Sequence, residues 1–486
     1  MRKLINRISK SKRFEYFLLI LILLAGFAVR LYKINSPIAD WHSWRQVDTA
    51  SVARIYVDEG IELMRPRYYD ISSIQTGFYN PEGYRFVEFP IYNVIHALSY
   101  ETFPKISFEA WGRLISIFAS LITTLLLYFL GKRLIGKSGG LFAAFYFAFI
   151  PFNVYFSRVI LPEPMAAMFA VLSVWLFVRF IDTEKNYYAY ISAAAFALSI
   201  LIKPYTVFYA VAIAYMAIKK YGIKGIFKNI PLLIALDIAL VPFLLWRAWI
   251  NTGMHFLGVP HLQWAFNGDG IRFKPSFWRW IFYERIGNLI LGGWGLIPFG
   301  VGILKRSKKL MIIEFLAIGM IMYLAIVASA NVRHDYYQTF IIPVIALILA
   351  KGSLDLWTSE KKIRLRSRGL LIFSICMMLL VGTYQVREFF KVNHPEFIEV
   401  GRIVDESTPK DSLVIVPDNG NTVFLYHTKR KGWPVLEGNI DDFVKLGADY
   451  FVSVNNDADT NMMKNKFEVF KQGTNYWIID LNKPKK

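Results

Sequence analysis

The chain has 486 residues, of which 55% are hydrophobic and 19% are charged, and it carries 56 Lys and Arg against 36 Asp and Glu. A soluble protein would contain about 25% charged residues, and a nucleic-acid-binding protein would carry its cations on polar surfaces rather than between long apolar runs. The single cysteine, Cys376, excludes an internal disulfide framework and a thiolate metal cluster. The composition therefore indicates a membrane protein with no nucleic-acid partner.

Apolar runs along the chain predict a polytopic α-helical membrane protein with about eleven transmembrane helices. A helix needs about 20 apolar residues to cross a hydrocarbon core of about 30 Å. The fifth and sixth runs are short and are separated by Lys203 and Pro204, so they could be two spans or one broken hairpin. The predicted spans are residues 14–32, 110–130, 139–157, 163–180, 188–202, 205–218, 229–250, 286–304, 310–330, 337–351 and 369–386.

Charges on the short loops predict the orientation of these spans, because Lys and Arg resist transfer across a membrane. If the N-terminus is cytoplasmic, the inner segments hold 25 of the 56 Lys and Arg. The short outer connections hold one each, namely Arg158, Lys203 and Arg333. An odd number of spans then places the C-terminus outside. We therefore expect a multi-pass protein of the cytoplasmic membrane.

Three predicted outer segments are too long to be simple turns: residues 33–108, 251–284 and 388–486. The first should contain interfacial helices and belongs, with the second, to a membrane domain over residues 1–387. The third is polar and predicts a small soluble α/β domain. Its predicted elements are a helix at 396–406, a strand at 412–417, a turn at 418–421, a helix at 441–446 and a strand at 450–454.

Polar side chains are concentrated just after the first predicted span. Asp40, His42, Arg45 and Asp48 lie within nine residues, together with two tryptophans. From Thr49 onward the pattern is helical, which puts Asp48 at an N-cap position. Asp48 could therefore cap an interfacial helix, carry chemistry, or do both.

Further charged residues lie where other predicted spans meet the outer surface. Glu88 lies two residues before Pro90 in the first outer segment, and Arg113 leads the second span, where it could anchor the helix or pair with Glu109. Glu163 lies between two prolines in a very short outer loop. An acid at this depth is costly unless it is paired or functional, although the two prolines could simply delimit two helices.

The order of these motifs resembles that of GT-C glycosyltransferases of the protein O-mannosyltransferase and lipid A aminoarabinose-transferase type. The resemblance covers about residues 14–205 and rests on Asp48, Glu88-Phe89-Pro90, Arg113 and Leu161-Pro162-Glu163-Pro164. It returns at Arg333-His334-Asp335-Tyr336-Tyr337, just before the tenth span. The outer tail is similar to the soluble domain attached to many bacterial members.

The resemblance implies the GT-C architecture and an inverting enzyme. Such an enzyme moves a sugar from a polyprenyl-phosphate donor to a hydroxyl of a lipid, glycan or protein at the outer membrane face. Asp48 corresponds to the catalytic carboxylate of the first loop, which agrees with the need for a base to accept the acceptor proton. Glu163 corresponds to the second-loop acid, which would orient the acceptor or stabilise charge on the anomeric carbon. The residues expected to bind substrates are Asp40, His42, Glu88, Arg113, His334 and Tyr337.

The sequence departs from the family pattern at Phe89, where many relatives have a lysine that meets the donor phosphate. The phosphate contact must then come from another cation, since Arg and Lys stabilise a leaving phosphate well at low dielectric. The candidates are Arg45, Lys203 and Arg333. Each of these side chains could instead reach towards lipid headgroups.

No cofactor is expected, because the histidines lack the spacing of a zinc site. A divalent metal ion on Asp40, Asp48 and Glu163 is the alternative.

A transporter or flippase for a lipid-linked glycan would place its ionisable residues inside the spans, whereas most of them lie in the predicted outer loops here. A membrane-anchored sensor would leave the first loop unexplained. The sequence therefore favours a membrane glycosyltransferase.

Overall fold

The computed structural model describes residues 12–253, 264–306 and 310–485, and these are predominantly helical. The helices up to residue 253 are α1 (Lys12–Arg30), α2 (Ser43–Glu59), α3 (Ile91–Thr102), α4 (Phe108–Leu134), α5 (Lys137–Phe149), α6 (Pro151–Phe156), α7 (Glu163–Thr183), α8 (Asn186–Ile202), α9 (Ala210–Ile226) and α10 (Ile230–Gly253). The later helices are α11 (Pro275–Arg279), α12 (Leu296–Leu304), α13 (Met311–Ile326), α14 (Ala328–Arg333), α15 (Ile342–Trp357), α16 (Arg364–Val386), α17 (Pro395–Ser407), α18 (Val423–Thr428), α19 (Ile440–Lys445) and α20 (Ala458–Lys466). A π-helical stretch covers Trp280–Ile290, and 3₁₀ turns cover Pro204–Tyr209 and Asp335–Phe340.

The strands form one sheet near the C-terminus. They are β1 (Leu413–Ile415), β2 (Gly432–Trp433), β3 (Ala448–Ser453), β4 (Phe467–Gln472) and β5 (Trp477–Pro484), in the spatial order β2-β1-β3-β5-β4. Strand β1 pairs in parallel with β2 and β3, whereas β5 pairs antiparallel with β3 and β4.

The chain divides into two compact units. The helical unit falls within Met1–Ile34, Arg113–Ala248 and Leu262–Glu388, and the mixed unit falls within Asn35–Gly112, Trp249–His261 and Phe389–Lys486. The mixed unit thus joins the first long loop to the C-terminal sheet. Part of the predicted loop 251–284 lies outside the described residues, as do residues 1–11 of the predicted membrane domain.

Apolar helices dominate the helical unit. By length and composition, four helical stretches among the described residues could cross a membrane: Phe108–Leu134, Glu163–Thr183, Ile230–Thr252 and Arg364–Ser407. Two helices approach closely where α12 meets α15, because a Cβ atom on Gly302 would collide with the Ile348 carbonyl and one on Gly352 with the Pro298 carbonyl. Small residues of this kind allow tight packing of membrane helices.

Several predicted spans are interrupted helices. The span predicted at 139–157 is α5 followed by α6, with the break at Ile150, because a residue before proline avoids the helical region. The pair at 188–202 and 205–218 is two helices joined by a 3₁₀ turn that starts at Pro204. The span predicted at 286–304 contains the end of the π-helical stretch and then α12.

The C-terminal segment contains helices and a small sheet, in agreement with the α/β domain predicted there. Helices α17 and α19 and strands β1 and β3 lie within a few residues of their predicted positions. Helices α18 and α20 and strands β2, β4 and β5 were not predicted. The sheet buries an apolar core that includes Ile415, Trp433, Phe451 and Ile479, and Ile71 from the first loop belongs to the same core.

Candidate functional site

Helix α2 begins earlier than the sequence predicts. Its first residue is Ser43 and its N-cap is His42, so Asp48 lies in the second turn and the interpretation of Asp48 as an N-cap is wrong. The pattern misled because most residues of α2 are buried, including the polar Gln46 and Thr49. Polarity therefore does not mark the outer face of this helix.

Asp48 is completely buried (0% exposed), and three other side chains hold its carboxylate. Arg85 Nη2 lies 3.0 Å from Oδ2, Gln75 Nε2 donates to Oδ2 at 3.2 Å, and Thr422 Oγ1 donates to Oδ1 at 2.7 Å. Arg85 also donates to Gln75 Oε1 at 2.6 Å. We call these four residues the Asp48 cluster. A buried carboxylate is tolerated when it is paired with a cation and hydrogen-bonded in this way.

A tight turn in the first loop positions Arg85. Asn80 accepts a hydrogen bond from Tyr84 N at 2.9 Å and donates to Tyr84 O at 3.0 Å. Gly83 has a positive φ of 68°, and a Cβ atom there would lie 2.5 Å from the Tyr68 carbonyl oxygen, so this turn requires glycine. The Arg85 guanidinium then lies 4.9 Å from the centre of the Tyr68 ring.

The C-terminal sheet brings Thr422 to Asp48. Ile71 N donates to the Gly432 carbonyl at 3.0 Å, and Gly432 N donates to the Tyr69 carbonyl at 3.0 Å, which attaches the first loop to the edge strand β2. Thr422 is the N-cap of α18, in the segment between β1 and β2. Backbone pairing therefore holds the two segments of the mixed unit in register at the Asp48 cluster.

A second buried carboxyl group, Asp70, lies next to the Asp48 cluster. Its Oδ1 accepts a hydrogen bond from Ser72 N at 2.8 Å, and its Oδ2 accepts one from Tyr68 Oη at 3.3 Å. Burial raises the pKa of Asp70 to about 6, and the negative charge of Asp48 contributes to the rise. Asp70 therefore changes its charge within the range of pH used for enzyme assays.

Other predicted residues of the first loop are held by one another. Arg45 is buried, forms an ion pair with Glu88 and donates to Thr49 Oγ1 at 3.1 Å. Asp40 Oδ1 accepts a hydrogen bond from Gln46 Nε2 at 2.6 Å. A donor phosphate would therefore compete with Glu88 for Arg45. The His42 ring lies 5.1 Å from the Trp41 ring, measured between centroids.

In the helical unit, Glu163 and Lys203 form a buried ion pair. Glu163 is the first residue of α7, and Lys203 follows the last residue of α8. Lys203 Nζ lies 3.0 Å from Glu163 Oε1, with the two side chains 3% and 0% exposed. Within the described residues, Glu163 Oε2 has no hydrogen-bond partner. The Tyr337 ring centre lies 6.0 Å from Lys203 Nζ, so three predicted site residues meet here.

Arg333 and His334 lie in a second aromatic group of the helical unit. Arg333 is 59% exposed, and its Nη2 lies 3.5 Å from Asp269 Oδ2. Its guanidinium lies 6.0 Å from the centre of the Trp264 ring. His334 stacks on Tyr336 with ring centroids 5.5 Å apart. Arg333 is therefore the most accessible of the three predicted phosphate-binding cations.

Arg113 stabilises the chain segment that follows α1. It is fully buried, and its Nη1 donates to the Ile34 carbonyl at 2.8 Å. Arg158 donates to the adjacent Lys33 carbonyl, also at 2.8 Å. Two predicted outer cations thus bind backbone carbonyls after the end of α1.

Among the residues that the structure describes, no three His, Cys, Asp or Glu side chains are grouped so that they could hold a metal ion.

Comparison with known proteins concerns the fold and the family resemblance of the chain. A family model described as dolichyl-phosphate-mannose-protein mannosyltransferase matches residues 90–249, while no match was found among curated protein sequences. ArnT from Cupriavidus metallidurans bound to undecaprenyl phosphate is 12% identical over 96% of this chain and 98% of that chain, with a TM-score of 0.69. The resemblance to the GT-C glycosyltransferases is confirmed.

Two further solved structures share this GT-C fold. The apo state of the same Cupriavidus metallidurans ArnT is 13% identical over 96% of this chain and 97% of that chain, with a TM-score of 0.64. The Archaeoglobus fulgidus oligosaccharyltransferase in complex with Zn and sulfate is 13% identical over 90% of this chain and 67% of that chain, with a TM-score of 0.57. The GT-C membrane fold with a small C-terminal sheet is therefore that of this chain.

Sequence reasoning missed three members of the Asp48 cluster, namely Gln75, Arg85 and Thr422. Arg85 is three residues before Glu88 and could have been found by treating every cation near that motif as a partner for Asp48. Thr422 is separated from Asp48 by 374 residues. No local pattern in the sequence connects these two positions.

Proposed function

We propose that this chain is an integral membrane glycosyltransferase that transfers a sugar, with inversion, from a polyprenyl-phosphate donor to a hydroxyl acceptor. The observation that carries the proposal is a buried aspartate, Asp48, that already accepts a hydrogen bond from a hydroxyl group in a chain with the GT-C fold. The ArnT structure gives further support because it holds undecaprenyl phosphate. A polyprenyl phosphate is what remains of such a donor once its sugar has been transferred.

Asp48 is the general base of the proposed reaction. The acceptor oxygen forms a bond to the anomeric carbon while the bond from that carbon to the phosphate oxygen breaks. The acceptor proton passes to Asp48, and the electron pair of the broken bond leaves with the polyprenyl phosphate. One carboxylate is enough for inversion, since the phosphate leaves without an acid. No cofactor takes part.

Thr422 indicates how an acceptor hydroxyl would meet this base. Its Oγ1 donates to Asp48 Oδ1 at 2.7 Å, which is the geometry that an acceptor needs before it loses its proton. A carboxylate oxygen can accept a second hydrogen bond, so an acceptor could join Thr422 at Oδ1 or replace it. Thr422 is thus a positioning residue that fixes the orientation of the Asp48 carboxylate.

Arg85 orients the base and does not bind the donor phosphate. Inversion places the base and the leaving phosphate on opposite faces of the sugar, and Arg85 Nη2 lies only 3.0 Å from Asp48 Oδ2. Its guanidinium pairs with the carboxylate and fixes the orientation of that group. Arg85 therefore does not replace the phosphate-binding lysine that many relatives have at the position of Phe89.

Arg333 is the best candidate for the phosphate contact. If Arg45 or Lys203 turned to a phosphate, each would have to break a largely buried ion pair, with Glu88 and Glu163 respectively. Breaking a buried pair in this way costs about 3–5 kcal/mol. Arg333 would give up only a partly exposed contact to Asp269, and exposed pairs contribute about 0–1 kcal/mol. Arg333 can therefore bind an incoming phosphate at the lowest cost.

Glu163 acts on the sugar or the acceptor in this proposal. Lys203 balances its charge through Oε1, while Oε2 can accept a hydrogen bond from a substrate hydroxyl. Asp40, His42, Glu88, Arg113, His334 and Tyr337 remain proposed substrate-binding residues. The acceptor is a lipid, a glycan or a protein hydroxyl.

We place the reaction at the outer face of the cytoplasmic membrane. Eleven spans with a cytoplasmic N-terminus put residues 388–486 and the first loop outside. The distribution of Lys and Arg over the loops supports this arrangement. Membrane lipids surround the helical unit.

A transfer assay with an Asp48→Asn variant tests the proposal. Purified protein in nanodiscs is given labelled polyprenyl-phosphate sugars and membrane extract as the source of acceptor. A general base contributes about 10²–10⁴-fold to a rate, so transfer should fall by at least about 100-fold while donor binding survives. Asp58→Asn is the control, because Asp58 is an exposed acid of the same helix. Full activity of Asp48→Asn, or no product from any donor, would refute the assignment.

A further inference from the structure

A cavity of about 410 Å³ lies at one end of four helices of the helical unit. Arg133 is one residue from the end of α4, and Asp182 is one residue from the end of α7. Lys219 and Lys220 come just before the non-helical backbone of Gly222 in α9. Ile312 completes the wall as the second residue of α13. We call this space the helix-end cavity.

The helix-end cavity combines apolar walls with an excess of positive charge. Three cations and one carboxylate line it, and its apolar side is built from Leu134, Val178, Ile181, Met216 and Ile312. Aromatic contacts hold the surrounding helices together: Tyr215 stacks on Phe315 with centroids 4.0 Å apart. A packed wall with polar groups at one end is typical of a site for an amphipathic ligand.

Two of the three cations are committed to protein partners. Arg133 forms a bidentate ion pair with Asp182, with both nitrogen to oxygen distances at 2.7 Å. Lys220 Nζ donates to the Ile181 carbonyl at 3.0 Å and to Glu184 at 2.5 Å. These contacts neutralise most of the charge and part of the negative end of α7.

Lys219 is different. Within the described residues it makes no hydrogen bond or ion pair, and its Nζ lies 5.5 Å from the centre of the Tyr215 ring. The ammonium group therefore keeps its three donors for another molecule. If these cations only capped helix ends, Lys219 would donate to a backbone carbonyl oxygen, as Lys220 does.

We propose that the helix-end cavity binds the phosphate headgroup of an anionic phospholipid, with Lys219 as its main ligand. This rests on the membrane placement given under the proposed function. Helix ends lie at headgroup depth when their helices cross a bilayer. Basic sites between helices on the cytoplasmic side attract anionic headgroups, and this end carries the basic loops that predict the inner side. The apolar walls accommodate the upper part of the acyl chains.

Lipid binding to purified full-length protein tests the proposal. The protein is held in a zwitterionic detergent and titrated with phosphatidylglycerol, and bound lipid is counted by native mass spectrometry. Lys219→Gln should weaken binding about fivefold, the loss expected for one lysine at an anionic surface. Lys219→Arg should restore binding. Lys224→Gln is the matched control, because Lys224 is an exposed lysine of the same helix that does not line the cavity.

Three results would overturn the proposal. Equal losses in Lys219→Gln and Lys224→Gln would show a diffuse surface attraction. Equal binding of phosphatidylcholine would remove the requirement for a net negative headgroup. Competition by inorganic phosphate at the concentration at which the lipid binds would identify a site for free phosphate. Each result concerns binding and is independent of sugar transfer, so it leaves the catalytic proposal unaffected.

Discussion

The ion pair between Asp48 and Arg85 should stabilise the fold as well as the base. Arg85→Gln would leave the buried Asp48 carboxyl group without the cation that pairs with it, and breaking such a pair costs about 3–5 kcal/mol. We expect a clear fall in the melting temperature of the solubilised protein. The double variant Asp48→Asn/Arg85→Gln should recover most of this loss, because it buries no unpaired charge.

Arg402→Gln is the control for this prediction, because its pair with Glu406 is exposed in the same mixed unit and is worth about 0–1 kcal/mol. Identical melting temperatures for Arg85→Gln and Arg402→Gln would show that the buried pair contributes nothing. Sugar transfer should be lost in Arg85→Gln and in the double variant Asp48→Asn/Arg85→Gln, whatever their stability. Stability and activity are therefore separated by the double variant.

Asp70 makes stability depend on pH. Its pKa rises from an ordinary 3.8 to about 6 in the folded protein because it is buried. The folded state therefore holds this proton more tightly, so the stability that Asp70 contributes is fully present below pH 3.8 and is lost as the pH rises through 6. The shift corresponds to about 3 kcal/mol at neutral pH.

Asp70→Asn removes this charge and should raise the melting temperature at about pH 7.5 but not at about pH 4. The exposed Asp459→Asn variant should behave alike at both pH values. Melting curves of the two variants against the unchanged protein measure the difference. A constant effect of Asp70→Asn across the range would mean that Asp70 does not titrate there.

For individual residues, the sequence identifies the buried acids better than it identifies the side chains that pair with them. Asp48 and Glu163 stand out because carboxylates at the ends of apolar spans are costly and therefore noticeable. Their partners are another matter, since Arg85 is one of many loop cations and Thr422 is an ordinary hydroxyl in a different segment. Side-chain pairing depends on the fold, and composition carries no information about it.

Among the packed elements, helices α12 and α15 cross so closely that the crossing depends on glycine. Gly302→Ala would place a Cβ atom against the Ile348 carbonyl, so the helices must separate. We expect a marked loss of stability or of folded protein. Gly300→Ala is the control on the same helix, because a Cβ atom there has nothing within 4 Å.

Gly300→Ala should be neutral or stabilising, since alanine favours a helix over glycine by about 1 kcal/mol. Size-exclusion profiles and melting temperatures of the two variants measure the contrast. Equal behaviour of the two alanine variants would mean that this crossing tolerates a wider separation. The comparison controls for helix propensity because both changes are the same.

Elements were predicted well where they are long and apolar. The helices α4, α7 and α10 lie close to their predicted limits because a helix that is long enough to cross a membrane is apolar over most of its length. Helix α2 was misjudged because it buries polar residues that pair inside the mixed unit. The edge strand β2 has only two residues, which is too short to give an alternating pattern.

For the whole molecule, the predicted orientation can be tested by cysteine labelling. The background is Cys376→Ser, which removes the only cysteine of the chain. Tyr79→Cys and Met462→Cys introduce exposed thiols in the first loop and the C-terminal segment, and Leu365→Cys introduces one on a predicted inner segment. With intact cells and an impermeant maleimide, the first two should be labelled and the third protected.

The expected result follows from the charge distribution, because 25 of the 56 Lys and Arg lie on segments that this orientation keeps inside. Lysis of the cells before labelling is the control and should expose Leu365→Cys. Labelling of all three positions in intact cells would mean that the orientation is mixed. Protection of Met462→Cys would place the sheet, and Thr422 with it, inside the cell, where it could not act in a reaction at the outer face.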